Sequence, residues 1–279
     1  MIHGRGLAHD LMVKIQPMNL LAFDTSTDVM SIAVQRGTAA GTPAAGGAGA
    51  PQAWQHTAAG GAQASTTLIP AIQQLMRQAR LNFHDLDAIA FGRGPGSFTG
   101  LRTACSVAQG LAFGAGVPVL PVDSLLAVAE EARHQQGLVP HAGEAGKLQS
   151  LLQPDAHFRV LAVLDARMDE VYAAYYEFNS TSFNLKADYS LTNPENLALE
   201  DGWAVAGNAF AAYGERMPGG QAVRIHALPT ASAMLRLAPA LLAAGQAVPA
   251  GQALPLYIRD KVAKTTAERR QEKFEKAGA

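Results

Sequence analysis

The sequence predicts an α/β protein made of two halves with the same order of elements. Three observations predict this fold class. The chain has 279 residues, which is longer than a typical domain of about 100 to 200 residues. Apolar runs of strand length alternate with segments of helical periodicity. The order β-β-β-α-β-α-β-α occurs twice, which indicates an internal repeat of topology.

The first half opens with a predicted β-hairpin. Apolar runs at 19–23 and 29–34 flank a turn-prone segment at 24–28. Residues 37–51 are almost all Gly, Ala, Pro and Thr. Their side chains are too small to build a core, so we predict a flexible insert. A third strand is predicted at 53–57.

The rest of the first half alternates helices with buried strands. In the first helical segment, apolar side chains recur on one face behind Ser and Thr caps, and Pro70 is tolerated in the first turn. The predicted elements are helix 65–80, strand 86–91, helix 98–113, strand 117–121 and helix 124–135.

The second half repeats this order. A hairpin of two apolar strands comes first, and shorter strand and helix patterns follow it. The predicted elements are strands 160–164 and 171–178, a strand near 183–191, a short helix after Asn193, strand 203–206, helix 209–216, strand 223–228 and helix 231–244.

Changes in composition set the predicted domain boundaries. A central stretch mixes Gly, Pro, His and Gln without periodicity, and the last residues are charged and mostly polar. The chain therefore divides into an N-terminal extension (1–18), a first lobe (19–136), a linker (137–157), a second lobe (158–262) and a charged tail (263–279).

The overall composition excludes several classes of protein. Lys and Arg number 22 against 23 Asp and Glu, a formal net charge of -1, so bulk charge does not attract nucleic acid. The single Cys105 cannot form an internal disulfide, which favours a reducing, cytoplasmic location. No apolar stretch approaches the roughly 20 residues of a membrane span, so we expect no membrane contact.

The turn Asp24-Thr25-Ser26 is a candidate phosphate-binding turn. Its backbone N–H groups and hydroxyls suit a terminal phosphate, and its carboxylate suits a metal or water. Local hydrogen bonding by Asp, Ser and Thr side chains in a turn explains the same residues. A nucleotide cleft needs a second such turn from the other half. Residues 165–169 there are bulky or acidic instead.

The sequence shows no catalytic or metal-binding constellation. The Gly-rich segment 92–100 lacks the Walker spacing and its Lys, and Ser97 stands where a dinucleotide motif has its third Gly. We interpret Ser97 as a helix cap. No two of the eight His residues are three or four apart, as a helical pair of metal ligands requires. We therefore assign no catalytic residue, cofactor or metal.

The predicted helix 98–113 is apolar nearly all round. Gly100, Ala104, Ala108 and Ala112 recur every four residues and form a shallow side that another helix can approach closely. A helix of this kind must be covered on more than one side. Either the chain's own helices or a partner chain covers it, and the sequence leaves both alternatives open.

Five motifs carry a resemblance to a known family. They are Gly-Pro-Gly-Ser-Phe-Thr-Gly-Leu-Arg at 94–102, Leu-Ala-Phe-Asp-Thr-Ser-Thr at 21–27, Leu-Asp-Ala-Arg at 164–167, Glu-Val-Tyr at 170–172 and Pro-Leu-Tyr-Ile-Arg-Asp at 255–260. They closely resemble the TsaB (YeaZ) family, and the three motifs of the second half follow the order of that family's later motifs. The resemblance covers about residues 19–136 and 158–268.

The resemblance implies an actin-like (ASKHA) fold of two ribonuclease-H-like lobes. It also implies a non-catalytic dimerisation subunit in the synthesis of threonylcarbamoyladenosine in tRNA. Such a subunit pairs with a TsaD-type catalytic subunit and helps recruit a TsaE-type ATPase, and it meets tRNA only through the complex. Because the helices of the two related subunits are similar, a homodimer of the isolated chain is possible.

Pairing in the family uses the first two helices, here 65–80 and 98–113. The partner-facing residues that we predict on them are Leu68, Ile69, Ile72, Leu75, Met76, Leu101, Ala104, Cys105, Ala108 and Ala112. The alternative is an ASKHA-type phosphotransferase or ATPase that acts alone through the Asp24-Thr25 turn. That alternative predicts ATP turnover by the isolated chain and its loss in Asp24→Ala.

Overall fold

A computed structural model gives the structure of the chain. It describes residues 9–10, 18–37, 51–137, 157–179, 182–218 and 222–259. The predicted extension, flexible insert, linker and charged tail lie almost entirely outside these residues. None of the helices in the described ranges combines the length and the apolar character that a membrane crossing requires.

The described residues form two β-sheets and five α-helices. The strands are β1 (His9–Asp10), β2 (Leu20–Asp24), β3 (Val29–Arg36), β4 (Gln52–Ala59), β5 (Ala88–Gly94), β6 (Val119–Asp123), β7 (Phe158–Arg167), β8 (Glu170–Phe178), β9 (Ser182–Leu185), β10 (Ser190–Thr192), β11 (Ala204–Gly207) and β12 (Arg224–His226). The helices are α1 (Ala64–Ala79), α2 (Phe98–Ala115), α3 (Ser124–Gln135), α4 (Phe210–Tyr213) and α5 (Ala231–Ala243).

The first half folds around a sheet of order β4-β3-β2-β5-β6. β3 pairs antiparallel with β4 and β2, and β2, β5 and β6 are parallel. Alternate side chains of β2 face opposite sides. Leu21 and Phe23 pack with α1 and α2, while Leu20 and Ala22 pack with α3 and α5. Because helices cover both faces, the whole of β2 is buried.

The second half repeats this topology, as predicted. Its sheet has the order β1-β9-β8-β7-β11-β12, with β10 also paired to β8. β7 and β8 are antiparallel, and β7, β11 and β12 are parallel. The predicted strand near 183–191 is two strands, β9 and β10. The predicted helix after Asn193 is a single 3-10 turn, Pro194–Asn196. The predicted helix 209–216 consists of the short helix α4 and one 3-10 turn after it.

Helices α3 and α5 join the two halves. α3 belongs to the first half but packs on β7, and α5 belongs to the second half but packs on β2 and β3. An ionic cluster lies between these helices: Glu130, fully buried, accepts from Arg133 at 2.9 Å and from Arg236 at 3.0 Å. Arg236 also reaches Glu131 at 2.7 Å. One apolar core runs across the joint.

The segment 246–259 crosses back over the first half, although we predicted it as part of the second lobe. Val248 bridges to Val119 at the edge of the first sheet, and buried Ala253 joins the core beneath α2. The Leu256 N–H donates to the Arg93 carbonyl at 2.7 Å. The first sheet therefore has an apolar edge that this segment covers.

Candidate functional site

The β2–β3 turn is buried and internally bonded. Asp24 is fully buried, and its carboxylate accepts hydrogen bonds from the Ser26 N–H at 2.7 Å and the Ser26 hydroxyl at 2.6 Å. The Ser124 hydroxyl donates to the other carboxylate oxygen at 2.9 Å. Burial raises the pKa of the Asp24 carboxyl to about 6, although these hydrogen bonds oppose the rise.

The Gly-rich motif wraps this turn, which explains its glycines. A Cβ on Gly92 would lie 1.7 Å from the Asp24 carboxylate, and one on Gly100 would lie 1.9 Å from the Thr25 carbonyl. The Thr25 hydroxyl donates to the Gly100 carbonyl at 2.7 Å. Ser97 occupies the N-cap position of α2, but its side chain makes no capping hydrogen bond. The predicted hydroxyl cap is therefore wrong, and the backbone of Ser97 bonds to Ser26 instead.

The candidate phosphate turn thus has its polar groups occupied by the protein itself. The side chains of Asp24, Thr25 and Ser26 are all nearly or fully buried, and each is hydrogen-bonded to neighbouring residues. In the described ranges, no group of three or more His, Cys, Asp and Glu side chains is placed to hold a metal. The geometry favours the interpretation of this turn as a packing element.

The equivalent turn of the second half, between β7 and β8, is held by side chains. Arg167, Met168 and Asp169 have left-handed φ angles of 61°, 55° and 67°, which are unfavourable for residues with a Cβ. Asp165 accepts from the Arg167 N–H at 2.8 Å and from the Tyr213 hydroxyl at 2.9 Å. Arg259 donates to the Ala166 carbonyl at 3.0 Å. This turn too has its polar groups occupied.

A cavity of about 630 Å³ lies between the two turns. Ser26 and Ser97 line it from the first half, and Tyr172 and Asn208 line it from the second. Phe98 and Tyr257 form an aromatic wall, with ring centroids 5.2 Å apart. The arrangement is therefore a cleft between the halves with mixed polar and apolar walls.

The predicted partner-facing stripe is wrong in its orientation. Nine of its ten residues are buried inside the chain's own core, because α1 and α2 turn this side toward the first sheet. They are Leu68, Ile72, Leu75, Met76, Leu101, Ala104, Cys105, Ala108 and Ala112. Cys105 faces the segment 246–259, where its thiol donates to the Ala253 carbonyl at 3.4 Å. Ile69 alone among the ten is exposed, at 43%.

The outward side of the same helices carries a different set of residues. Phe113 on α2 is 85% exposed, and a Cβ on Gly110 or Gly114 would meet nothing within 4 Å. A groove of about 620 Å³ runs beside them, lined by Arg77 of α1 and Leu111 of α2 among others. This surface combines an apolar side chain with an accessible helix backbone.

Comparisons with known proteins agree with one another. The family model described as "TsaD: tRNA N6-adenosine threonylcarbamoyltransferase" matches residues 52–275. The tRNA threonylcarbamoyladenosine biosynthesis protein TsaB of Escherichia coli is 31% identical over 88% of this chain and 96% of that protein. The Haemophilus influenzae protein of the same name is 30% identical over 89% of this chain and 96% of that protein.

A solved structure is similar as well. YeaZ from Pseudomonas aeruginosa superposes with a TM-score of 0.69 and 36% identity, over 86% of this chain and all of that one. The chain belongs to the TsaB (YeaZ) family. Its two sheets of matching order are therefore the two lobes of an actin-like fold, and the resemblance found in the sequence motifs is confirmed.

Sequence reasoning missed the residues that the outward surface exposes. Phe113 is the last residue of the predicted helix, and the prediction assigns it to neither the core nor the interface. A usable signal was present, since the polar and small residues Ser106 and Gly110 lie on the same side of α2 as Phe113. The nearly uniform apolar character of α2 hid it.

Proposed function

We propose that this chain is a non-catalytic subunit in tRNA threonylcarbamoyladenosine biosynthesis. In this role it pairs with a TsaD-type catalytic subunit, helps recruit a TsaE-type ATPase and meets tRNA only through the complex. The names of the relatives support the pathway. The match to a transferase family model supports common ancestry with the proposed partner, and related chains readily pair through equivalent surfaces.

The chemistry of the β2–β3 turn supports a non-catalytic role. A catalytic carboxylate must reach substrate, metal or water, but Asp24 is fully buried and saturated by Ser26 and Ser124. The opposite turn presents Met168 and an Arg167–Asp165 ion pair where a phosphate clasp needs accessible N–H groups. These observations weigh against an ATPase that acts through Asp24 and Thr25.

The observation that carries the pairing proposal is Phe113. A Phe side chain that is 85% exposed on a long helix gains about 1.5 to 3 kcal/mol when a partner covers it. Gly110 and Gly114 flank it and leave the helix backbone open to close approach. Ile69 is a second large exposed apolar residue, on α1. The pairing surface is therefore the outward face of α1 and α2, centred on Phe113.

Light scattering tests this proposal with the chain alone and mixed with the TsaD-type protein of the same organism. We expect a one-to-one complex with the unmodified chain and none with Phe113→Asp. Val223→Asp is the matched control, because Val223 is also a large exposed apolar residue, at 60%, but lies in the second half. It should pair normally.

Two outcomes contradict the proposal. If the masses stay separate while the partner is folded, the subunit role is wrong. If Phe113→Asp pairs as well as Val223→Asp, the pairing surface lies elsewhere. The mass of the chain alone also decides whether it forms a homodimer, and Phe113→Asp should abolish that dimer if it uses the same face.

A further inference from the structure

The cavity between the two turns contains hydrogen-bonding groups that the protein leaves unused. Tyr172 lines it and is only 7% exposed, and its hydroxyl has no partner among the described residues. Asn208 uses its side-chain oxygen to accept from the Asp165 N–H at 2.9 Å, which leaves its amide NH2 without an acceptor in the same part of the chain. Both groups are therefore available to a ligand that enters the cavity.

The charged residues around the cavity are already compensated. Arg167 pairs with Asp165 at 2.9 Å, and Arg259 pairs with Glu170 at 2.8 Å. The remaining charged lining residue, Asp28, is exposed and negative, so it repels phosphates. The cavity therefore has no uncompensated cationic side chain for an anionic ligand, and its free groups suit a neutral one.

The walls suit a flat ring. Phe98 and Tyr257 lie side by side, with an interplanar angle of 36°, and Arg102 covers Phe98 at 3.9 Å from its centroid. Met168 contributes a soft apolar surface from the other half and is 55% exposed. Aromatic and Met side chains around a few hydrogen-bonding groups are typical of small-molecule sites, whose volumes are about 300 to 1,000 Å³.

We propose that this cavity binds a neutral, planar, hydrogen-bonding ring system of nucleobase size, without a bound metal ion. The ring lies against the Phe98–Tyr257 wall, and its edge groups bond to Tyr172 and Asn208. Asp24 takes no part, because it is sealed beneath the Gly-rich motif. The site uses the first turn of α2, whereas Phe113, the centre of the proposed pairing surface, lies near the other end of that helix.

The test uses adenosine as the probe and the full chain labelled with 13C at its Met methyl groups. Met168 lines the cavity, whereas Met30 and Met76 are buried in the core. We expect millimolar adenosine to shift the Met168 resonance and to leave those of Met30 and Met76 in place. The Met168→Leu variant assigns the resonance. No shift at Met168 overturns the proposal.

Two variants locate the site. Tyr172→Phe removes only the free hydroxyl and should weaken adenosine binding about fivefold. Its control is Tyr175→Phe, on the same strand, whose hydroxyl bonds to the Ala198 carbonyl instead; binding should not change. Ser97→Trp fills the mouth from the α2 side and should abolish binding in a chain that still folds. Unchanged binding in Tyr172→Phe and Ser97→Trp would overturn the location.

Two further probes decide the chemistry. Magnesium-ADP should bind no more tightly than adenosine; a tenfold tighter affinity would make this a phosphate site and the proposal wrong. Short single-stranded oligoadenylate should gain nothing over adenosine. If the oligonucleotide binds and adenosine does not, the ligand is an RNA strand, and the small-molecule proposal fails.

Discussion

The two halves share a strand order but differ in what covers the outer face of each sheet. In the first half, α1 and α2 cover it with 16 and 18 residues. In the second half, the equivalent positions hold the 3-10 turn Pro194–Asn196 and the four-residue α4. The strands therefore define the fold, while the helices define the surface offered to a partner. Within the described residues, the long helical face belongs to the first half.

The two hairpin turns also differ, in the interactions that stabilise them. The first turn is buried because Gly92, Gly96 and Gly100 let the backbone close over it. The second turn keeps bulky residues and is held in place by Arg259 and Tyr213. One turn is stabilised by close packing and the other by polar side chains. Breaking each of them should therefore have a different signature.

The largest expected loss of stability comes from the contact between the two halves. Arg236→Ala removes a partner of buried Glu130 and of Glu131. Arg133 still pairs with Glu130 at 2.9 Å, so we expect a loss of about 3 kcal/mol of unfolding free energy, the lower end of the range for a broken buried ion pair. Arg159→Ala is the control, because its pair with Glu177 lies at the surface, with the Arg159 side chain 45% exposed, and contributes at most about 1 kcal/mol. Urea unfolding measures both. Equal losses would mean that the joint between the halves is not a main source of stability.

The next effect compares a glycine of each half. Gly207 has φ 148°, and its Cβ would lie 1.7 Å from the Val163 carbonyl, which is fixed backbone. Gly207→Ala should therefore cost about 3 kcal/mol, whatever the neighbouring side chains. Gly92→Ala meets the Asp24 side chain instead, so Asp24→Ala should suppress much of its cost.

A double-mutant cycle in urea checks this contrast. We expect the changes in unfolding free energy caused by substitutions at positions 24 and 92 to be strongly non-additive, since the two residues are in contact. If the stability losses of Gly92→Ala and Asp24→Ala are additive, the Cβ added at position 92 clashes with fixed backbone and not with the Asp24 side chain, as at Gly207. The two halves would then be alike at this point.

The smallest effect concerns pH. Burial raises the pKa of Asp24 to about 6 from the ordinary 3.8, so the folded state binds its proton more tightly than the unfolded state does. Stability therefore falls as pH rises between these values, by about 2 kcal/mol from about pH 4 to about pH 6. Asp24→Asn should remove this component. Parallel stability profiles for variant and unmodified chain would contradict the burial of Asp24 in solution.

Much of the fold followed from local patterns. Strand alternation and helical periodicity located β2, β3, β5, α1, α2 and α3 within a few residues, because each carries a full apolar face. The second half was harder. The pattern at 209–216 is helical, but the chain ends α4 at Tyr213 and continues as a 3-10 turn. Short elements draw their stability from tertiary packing, which periodicity does not record.

The sequence by itself determined the repeated strand order, the absence of a phosphate clasp motif in the second turn and the family motifs. The tertiary structure decided which side of α1 and α2 faces outward. It also decided that Asp24 is buried and that Tyr172, Phe98 and Tyr257 line one cavity. The physical reason is that orientation depends on contacts between residues far apart in the chain. An apolar helix such as α2 can turn either side to the core, and only the sheet beneath it selects one.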